Sequence, residues 1–362
     1  MNKELSNFAA RLRASIVSGF QKESFEPLAL GLFALQFQNN SAYRKICEVR
    51  NRTPQNVEHW TQIPFVPTSV FKELELTSLA PSERIAVFHS SGTTEQKPSR
   101  HFHCAESLAL YEMSLWEWFE RNTFENSESR IQNPELICLT SNSSQAPNSS
   151  LVHMFETIRR KVGAPENVFV GKTSINGWTL DFDATLSALQ STINCQSSTL
   201  ILGTAFSFVH FLDFLAEKKL KFQLPESSFV METGGYKNRS RTMLKAELHS
   251  LIEKFLGIPR ENIICEYGMS ELSSQAYQTH HSSLITHHFA FSPWARAQII
   301  SPETGREVHD GETGLIRIFD LANVFSVAAI QTEDLGVKHD EHFDLIGRAQ
   351  LAEPRGCSLM TA

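Results

Sequence analysis

The chain has 362 residues, of which 33 are basic and 40 acidic, so its formal net charge is −7. With 41% hydrophobic and 20% charged residues it can fold around a sizeable core, and its length is typical of two or three packed units. The mild acidity and the lack of a basic stripe argue against nucleic acid as a partner. The 26 phenylalanines favour a large core over an apolar substrate tunnel.

The N-terminal twenty residues are charged throughout and show no apolar segment typical of a secretory signal. The longest apolar run, 28–35, is too short to span a bilayer. Six cysteines lie far apart and form no C-x-x-C pair, which is typical of reduced cytoplasmic thiols. We therefore predict a cytoplasmic protein without a membrane span.

In chain order, residues 1 to about 60 are predicted to be mainly helical, with an apolar stripe through Leu28, Leu32 and Leu35. Beyond Pro81, short apolar strands alternate with amphipathic helices. The predicted strands are 85–88, 200–202, 229–231 and 263–265, and the predicted helices include 108–118, 206–214 and 244–255. This alternation predicts an α/β fold with a mostly parallel sheet covered by helices.

The pattern changes to short strands alone near Ala297, where turn residues such as Asp310-Gly311 separate apolar runs. That change predicts a small antiparallel β subdomain after the α/β core. We divide the chain into an α/β core with a helical N-terminus (1–295), the β subdomain (296–347) and a short tail (348–362).

A polar turn follows the first strand of the α/β region. Residues 90–97 read Ser-Ser-Gly-Thr-Thr-Glu-Gln-Lys. Hydroxyls, a flexible glycine and a lysine are groups that can cradle phosphate oxygens. The segment does not match the P-loop pattern G-x-x-x-x-G-K-[ST], and alone it is more typical of an ordinary surface turn.

Two further turns carry candidate ligand groups. Residues 267–271, Tyr-Gly-Met-Ser-Glu, follow the predicted strand 263–265, at the edge where α/β sheets bind ligands. There an aromatic ring can stack on a base and a carboxylate can bind Mg²⁺. Farther along, Asp334 and Arg348 are a carboxylate and a cation suited to a ribose diol. Each turn alone is equally typical of an exposed acid or a surface ion pair.

Taken in this order, the three motifs resemble those of the adenylate-forming superfamily, which contains acyl-CoA synthetases, luciferases and peptide-synthetase adenylation domains. Segments 89–94, 261–272 and 355–359 resemble, more narrowly, the bacterial acyl-protein synthetases, the long-chain fatty acid ligases of luminescence-type reductase systems. The resemblance implies an ATP- and Mg²⁺-dependent ligase that converts a fatty or related carboxylic acid to an acyl-adenylate. It also implies an acyl thioester on the enzyme and an acyl-acceptor or reductase protein as partner.

The resemblance also assigns roles to individual residues. Ser270 would contact the α-phosphate and the acyl oxygen, Glu271 would bind Mg²⁺, and Cys357 would accept the acyl group. Lys97 would be catalytic, by neutralising charge on the phosphates. The nucleotide would be bound by the remaining matched residues: Ser90, Ser91, Gly92, Thr93 and Thr94 at the phosphates, Gly234 and Gly235 beside the nucleotide, Tyr267 and Gly268 at adenine, and Asp334 and Arg348 at the ribose.

The sequence departs from the superfamily at several positions. Glu95 stands where members usually have glycine and places an anion beside the expected triphosphate, Lys97-Pro98 reverses the usual Pro-Lys order, and Glu333 replaces a glycine. Superfamily members continue after the matched arginine into a lid domain with a catalytic lysine, whereas 14 residues follow Arg348. We therefore expect the lid to be absent, as in the acyl-protein synthetases.

Two other functions stay open: an acyl- or aryl-CoA ligase that uses free coenzyme A, and a catalytically silent nucleotide-binding subunit of a complex. Ordinary structural roles are expected for several other groups that can carry chemistry, because none has the spacing of a known site. These are His101, His103 and Cys104; His280, His281, His287 and His288; Phe206, Phe208, Phe211 and Phe214; and the five cysteines other than Cys357.

Overall fold

The computed structural model describes residues 2–90, 97–125, 134–174, 177–234, 243–278 and 288–349. The α-helices are α1 (Lys3–Val17), α2 (Phe25–Asn39), α3 (Ser41–Val49), α4 (Val70–Glu73), α5 (Ala105–Glu120), α6 (Ser150–Val162), α7 (Phe182–Cys195), α8 (Ala205–Lys218) and α9 (Lys245–Leu256). The strands are β1 (Val66–Pro67), β2 (Ala86–His89), β3 (Arg100–His103), β4 (Glu135–Cys138), β5 (Gly171–Ser174), β6 (Gly177–Leu180), β7 (Thr199–Thr204), β8 (Phe229–Thr233), β9 (Ile263–Tyr267), β10 (Ala276–Gln278), β11 (Ala290–Phe291), β12 (Ala295–Ile300), β13 (Thr313–Asp320), β14 (Ala329–His339) and β15 (His342–Arg348).

The N-terminal region is helical, as predicted. Helix α1 begins at Asn2, whose side chain accepts hydrogen bonds from the backbone N–H groups of Glu4 and Leu5 and so satisfies two donors of the first turn. In α2 the predicted stripe faces inward, with Leu32 fully buried and Leu28 and Leu35 partly buried against the same core. These helices share that core with the second sheet described below.

The central sheet confirms the predicted α/β class. Its described strands run in the order β11-β10-β9-β8-β7-β4, and β4, β7, β8 and β9 are parallel. Strand β7 is buried on both faces: Ile201 packs toward α8 and α9, while Leu200 and Leu202 pack toward α5 and α6. Because the carboxyl ends of parallel strands share one edge, the turns after Thr233 and Tyr267 lie side by side.

The second sheet confirms the predicted antiparallel β unit. Strands β12, β13, β14 and β15 pair antiparallel in succession. Strand β1, which the sequence did not predict as part of this unit, joins it parallel to β14, with Val66 opposite Ile330. The domain boundaries at 295 and 347 stay a prediction.

Strands β2 and β3 form an antiparallel hairpin, with His89 opposite Arg100. The first motif, 90–97, lies in the chain between these two paired strands. Within this motif, 91–96 lie outside the described residues.

The prediction that the cysteines other than Cys357 are core is wrong for Cys195, which is exposed at the end of α7, whereas Cys47, Cys104, Cys138 and Cys265 are buried. Cys195 is the last residue of its helix, directly before the left-handed C-cap Gln196. Among the described residues, none of the helices has the length and apolar character needed to cross a bilayer.

Candidate active site

Two of the three predicted motifs meet at Tyr267 and Asp334. The Tyr267 hydroxyl donates a hydrogen bond to Asp334 Oδ2 over 2.9 Å, although the residues are 67 positions apart. Arg348 lies opposite Asp334 in the β14–β15 register, with its Nε 3.8 Å from Asp334 Oδ1. Burial raises the pKa of the Asp334 carboxyl, while the hydroxyl of Tyr267 and the charge of Arg348 oppose that rise.

The Tyr267 ring is held by a group of phenylalanines that sequence reasoning missed. It packs edge-on against Phe289, Phe291 and Phe343, whose ring centroids lie 6.1, 6.3 and 5.5 Å away. These phenylalanines come from the approach to β11, from β11 and from β15, and no local motif marks them. They orient the ring so that its hydroxyl reaches Asp334. Stacking of Tyr267 on adenine stays a prediction.

The end of the second motif places two oxygen-bearing groups together. Ser270 Oγ donates to Glu271 Oε2 over 3.0 Å, and both side chains are buried. Burial raises the pKa of the Glu271 carboxyl, and within the described residues no lysine or arginine forms an ion pair with it. A buried carboxylate beside a hydroxyl is the hard oxygen donor set that Mg²⁺ prefers.

Strand β3, which follows the first motif in the chain, is joined to the second motif through His101. Its Nδ1 lies 2.9 Å from the backbone oxygen of Ser270, so β3 packs directly against the turn that carries Glu271. Burial lowers the pKa of His101 to about 4, and the neutral ring donates to this carbonyl. His101 therefore has the structural role that the sequence favoured over a metal site.

At the neck of the β2–β3 hairpin, Ser90 and Ser99 bond across the two strands. The Ser99 N–H donates to Ser90 Oγ over 3.0 Å, and the Ser90 N–H donates to the Ser99 backbone oxygen over 3.3 Å. These bonds hold the two strands together at Ser90, the first residue of the predicted phosphate loop.

Lys97 is exposed, and its Nζ lies 3.8 Å from Glu73 Oε2 on the short helix α4. This pair is too exposed to stabilise the fold appreciably. The catalytic role of Lys97 stays a prediction.

At two of the predicted site glycines, the surrounding structure explains why a residue without a side chain is favoured. Gly234 follows β8 with φ +68°, a left-handed conformation that side chains rarely adopt, and a Cβ there would meet no atom within 4 Å. At Gly268 a Cβ would lie 2.4 Å from Glu266 Oε1, so a larger residue there would require the Glu266 carboxyl to move.

Ser91, Gly92, Thr93, Thr94, Gly235 and Cys357 lie outside the described residues, as does Glu95. Their assigned roles stay predictions.

A buried polar network that the sequence did not reveal supports the Glu271 turn from below. Asp320, at the end of β13, accepts hydrogen bonds from the N–H groups of Ser273 and Ser274 and from the Ser274 hydroxyl at 2.7–2.8 Å. Asn323 Nδ2 donates to the Glu271 backbone oxygen over 2.8 Å. The network fastens the second motif to the β13–β14 connection. Its only signal in the sequence is polar Asp320 and Asn323 within an apolar stretch.

Comparison with known proteins agrees with this geometry. Residues 131–362 match the sequence model of the family "Acyl-protein synthetase, LuxE". The chain is 23% identical to the long-chain-fatty-acid–luciferin-component ligase of Aliivibrio fischeri over 94% of this chain and 89% of that protein. It is also 23% identical to the ligase of the same name from Vibrio harveyi, over 94% and 87%.

Solved structures share the fold at low sequence identity. An open 2-hydroxyisobutyryl-CoA ligase in complex with 2-HIB-AMP and CoA is 13% identical with a TM-score of 0.62, over 88% of this chain and 74% of that one. ATP-bound MatB from Rhodopseudomonas palustris is 15% identical with a TM-score of 0.51, over 75% of this chain but about half (49%) of its own. With the family match across most of the chain, these findings lead to one conclusion: the chain belongs to the acyl-protein synthetase family, LuxE, and is a ligase with the adenylate-forming fold.

Proposed function

We propose that this protein uses ATP to convert a long-chain fatty acid into an acyl-adenylate, and then passes the acyl group through a thioester to a partner protein. The observation that carries the proposal is the meeting of the second and third motifs, where Tyr267 contacts Asp334 at 2.9 Å. Strand β3, which follows the first motif in the chain, contacts the second motif through His101 and Ser270 at 2.9 Å.

Asp334 and Arg348 would bind the ribose of ATP. Asp334 already accepts a hydrogen bond from a phenol, and its second oxygen faces Arg348, so the carboxylate has an acceptor position for a sugar hydroxyl. Arg348 is largely exposed, with 81% of its side chain accessible, and can turn toward the same sugar. This arrangement supports a ribose contact at the β14–β15 hairpin.

Glu271 and Ser270 would act at the phosphates of ATP. Mg²⁺ bound at the Glu271 carboxylate would neutralise charge on the phosphates. Ser270, next to it, would donate to an oxygen of the α-phosphate or of the acid once its hydroxyl leaves Glu271. The first motif, which begins at Ser90, would bind the remaining phosphate oxygens with hydroxyl and N–H donors.

The acyl-transfer step needs a thiol nucleophile. We assign it to Cys357, whose thiolate would attack the acyl carbonyl. The carbon–oxygen bond to AMP breaks, the sulfur–carbon bond forms, and the thiol proton passes to solvent. The named relatives act with a long-chain fatty acid and a luciferin component, which supports a fatty acid substrate and a protein partner of a luminescence-type system.

We also propose a cytoplasmic location and retain the division into a core (1–295), a β subdomain (296–347) and a tail (348–362). The described cysteines are free thiols, which is typical of a reducing compartment and supports this location.

The first experiment measures fatty-acid-dependent exchange of labelled pyrophosphate into ATP by the full chain. Asp334→Asn should weaken ATP binding by about tenfold to a hundredfold, because a hydrogen bond to a charged group contributes about 1.5–3 kcal/mol. Asp310→Asn, which alters an exposed carboxylate paired with Lys338, is the control and should not change ATP affinity. Absence of exchange with every fatty acid tested would refute adenylation and favour a silent nucleotide-binding subunit.

The second experiment follows a radiolabelled fatty acid and the intact mass of the protein. Cys357→Ala should keep exchange activity and lose the covalent label, whereas Cys195→Ala, which removes the exposed thiol of α7, should keep both. Labelling that persists in Cys357→Ala would place the thioester elsewhere. Acylation of added coenzyme A without any protein label would identify a CoA ligase instead.

A further inference from the structure

Three buried side chains with metal-binding groups meet behind the second motif. Glu232 is on β8, Cys265 on β9 and His249 on α9, and they are 7%, 2% and 2% exposed. Their ligand atoms lie within 4.8 Å of one another. His249 Nε2 is 3.7 Å from Cys265 Sγ and 3.6 Å from Glu232 Oε1.

The sheet register brings these groups together. Glu232 and Cys265 are opposite each other on the parallel strands β8 and β9, so their side chains point to the same face. Two residues earlier on the same strands, Val230 and Ile263 face the apolar core beneath α8 and α9. Helix α9 packs on that face and supplies His249. Polar groups in such a core are costly unless each one is paired.

The hydrogen bonding of these groups is incomplete. Cys265 has side-chain contacts with His249, Glu232 and Lys245, and its 3.7 Å contact with His249 is a long sulfur hydrogen bond. The 3.6 Å separation between His249 and Glu232 is longer than a hydrogen bond, and His249 Nδ1 has no partner among the described residues. The surface histidines provide a contrast. His288 Nδ1 and His339 Nε2 lie 2.8 and 3.1 Å from the two oxygens of Asp344, which are ordinary hydrogen-bond distances.

The two separations from His249 suit a shared metal ion. Zinc lies about 2.3 Å from a thiolate and about 2.0–2.2 Å from a nitrogen or carboxylate oxygen, so tetrahedral donors stand about 3.4–3.6 Å apart. The observed 3.6 and 3.7 Å fall close to this spacing. Thiolate, imidazole and carboxylate together are a donor set typical of zinc.

We propose that Glu232, His249 and Cys265 bind a zinc ion that fastens α9 to strands β8 and β9. The thiolate and the carboxylate together carry two negative charges, which balance Zn²⁺ in a site removed from water. Burial, and then the Glu232 carboxylate, raise the pKa of the Cys265 thiol, so metal binding replaces the thiol proton and releases it to solvent. Cys265 is two residues before Tyr267, so this structural site would stiffen the strand that carries the nucleotide motif.

Lys245, one turn before His249, is the nearby cation that opposes metal binding. Its ammonium contacts Gln278 and lies 4.9 Å from the centre of the Phe289 ring, and its charge acts on Cys265. Because Lys245 is exposed, it can turn outward when zinc enters. Lys245→Ala should therefore hold zinc at least as tightly as the native chain.

The test measures the zinc content of the full chain, purified from zinc-supplemented cells and dialysed against metal-free buffer, by inductively coupled plasma mass spectrometry. We expect one zinc per chain in the native protein and in Lys245→Ala, and a loss of most of it in Cys265→Ala and His249→Ala. Cys195→Ala and His339→Ala control for other thiol and histidine ligands and should retain zinc. Native protein without zinc, or zinc lost only from His339→Ala, would overturn the proposal.

A second measurement uses the native protein and so tests the site even if the alanine variants fail to fold. Cobalt(II) added to native protein stripped of metal should produce the near-ultraviolet charge-transfer band of a cobalt–thiolate bond, with release of one proton per cobalt bound. Glu232→Gln, which keeps the size of the side chain, should weaken cobalt binding while keeping the band. A native protein that binds cobalt without a thiolate band would contradict the assignment of Cys265.

Discussion

The hydrogen bond between Tyr267 and Asp334 is the contact at which two distant motifs become one site. Tyr267→Phe removes a single oxygen atom and leaves the ring in place against Phe289, Phe291 and Phe343. The variant therefore tests the bond without disturbing the aromatic packing around it.

The surroundings of Asp334 determine how much stability and ATP affinity Tyr267→Phe should lose. Its side chain is 20% exposed, and after loss of the 2.9 Å bond its nearest charged partner would be the exposed Arg348 at 3.8 Å. A hydrogen bond to a charged group is worth about 1.5–3 kcal/mol, so we expect the free energy of unfolding to fall by about 2 kcal/mol. We also expect ATP affinity to fall about tenfold, because the carboxylate would lose the partner that orients it toward the ribose.

Tyr277 is the matched control. It is buried like Tyr267, but its hydroxyl has no hydrogen-bond partner among the described residues. Removing an unsatisfied buried oxygen does not sacrifice a hydrogen bond, so Tyr277→Phe should leave stability unchanged or raise it.

Urea denaturation followed by circular dichroism measures the stability of both variants, and isothermal titration calorimetry with ATP measures the affinity. The slope of the free energy against urea should stay constant, which indicates that only stability changed. Equal losses in the two variants, or a fully stable Tyr267→Phe with native ATP affinity, would refute the argument.

Three further predictions concern a buried carboxyl, a buried network and the core. Burial raises the pKa of Glu266 from 4.5 to about 7, so the folded state keeps a proton that the unfolded state loses as pH rises through this window. Native stability should thus fall by up to about 3 kcal/mol between about pH 5 and pH 8 in urea denaturation, and Glu266→Gln should show a smaller fall. Asp320→Ala leaves buried donors unpaired and should cost about 3 kcal/mol or more in the same assay, whereas loss of the exposed Asp310 should change little. Phe208→Ala should cost about 3–5 kcal/mol without altering the preferred fatty-acid length in the exchange assay, because Phe208 is fully buried in the core; a changed preference would indicate a tunnel.

Both sheets contribute residues to the candidate active site. The carboxyl edge of the central sheet supplies Tyr267 and Glu271, and the second sheet supplies Asp334 and Arg348. The Asp320 network joins the two units directly beneath Glu271. A ligand bound across them would therefore contact groups from both cores of the molecule.

Local patterns in the sequence determined much of this protein. The apolar stripe of α2, the buried runs of β7, β8 and β9, and the turn residues of the second sheet predicted the α/β class, because helix and strand periods are read within a few neighbouring residues. Order and spacing were enough to predict the three motifs and the family they resemble.

Contacts between distant residues were decided only by the tertiary structure. The pairing of β1 with β14, the phenylalanines around Tyr267 and the Asp320 network join segments far apart in the chain and have no periodic signal. The same holds for Cys265, which the sequence predicted as ordinary core. Only the strand register that puts it opposite Glu232, with His249 packed above, shows that this thiol lies within a cluster of possible metal ligands.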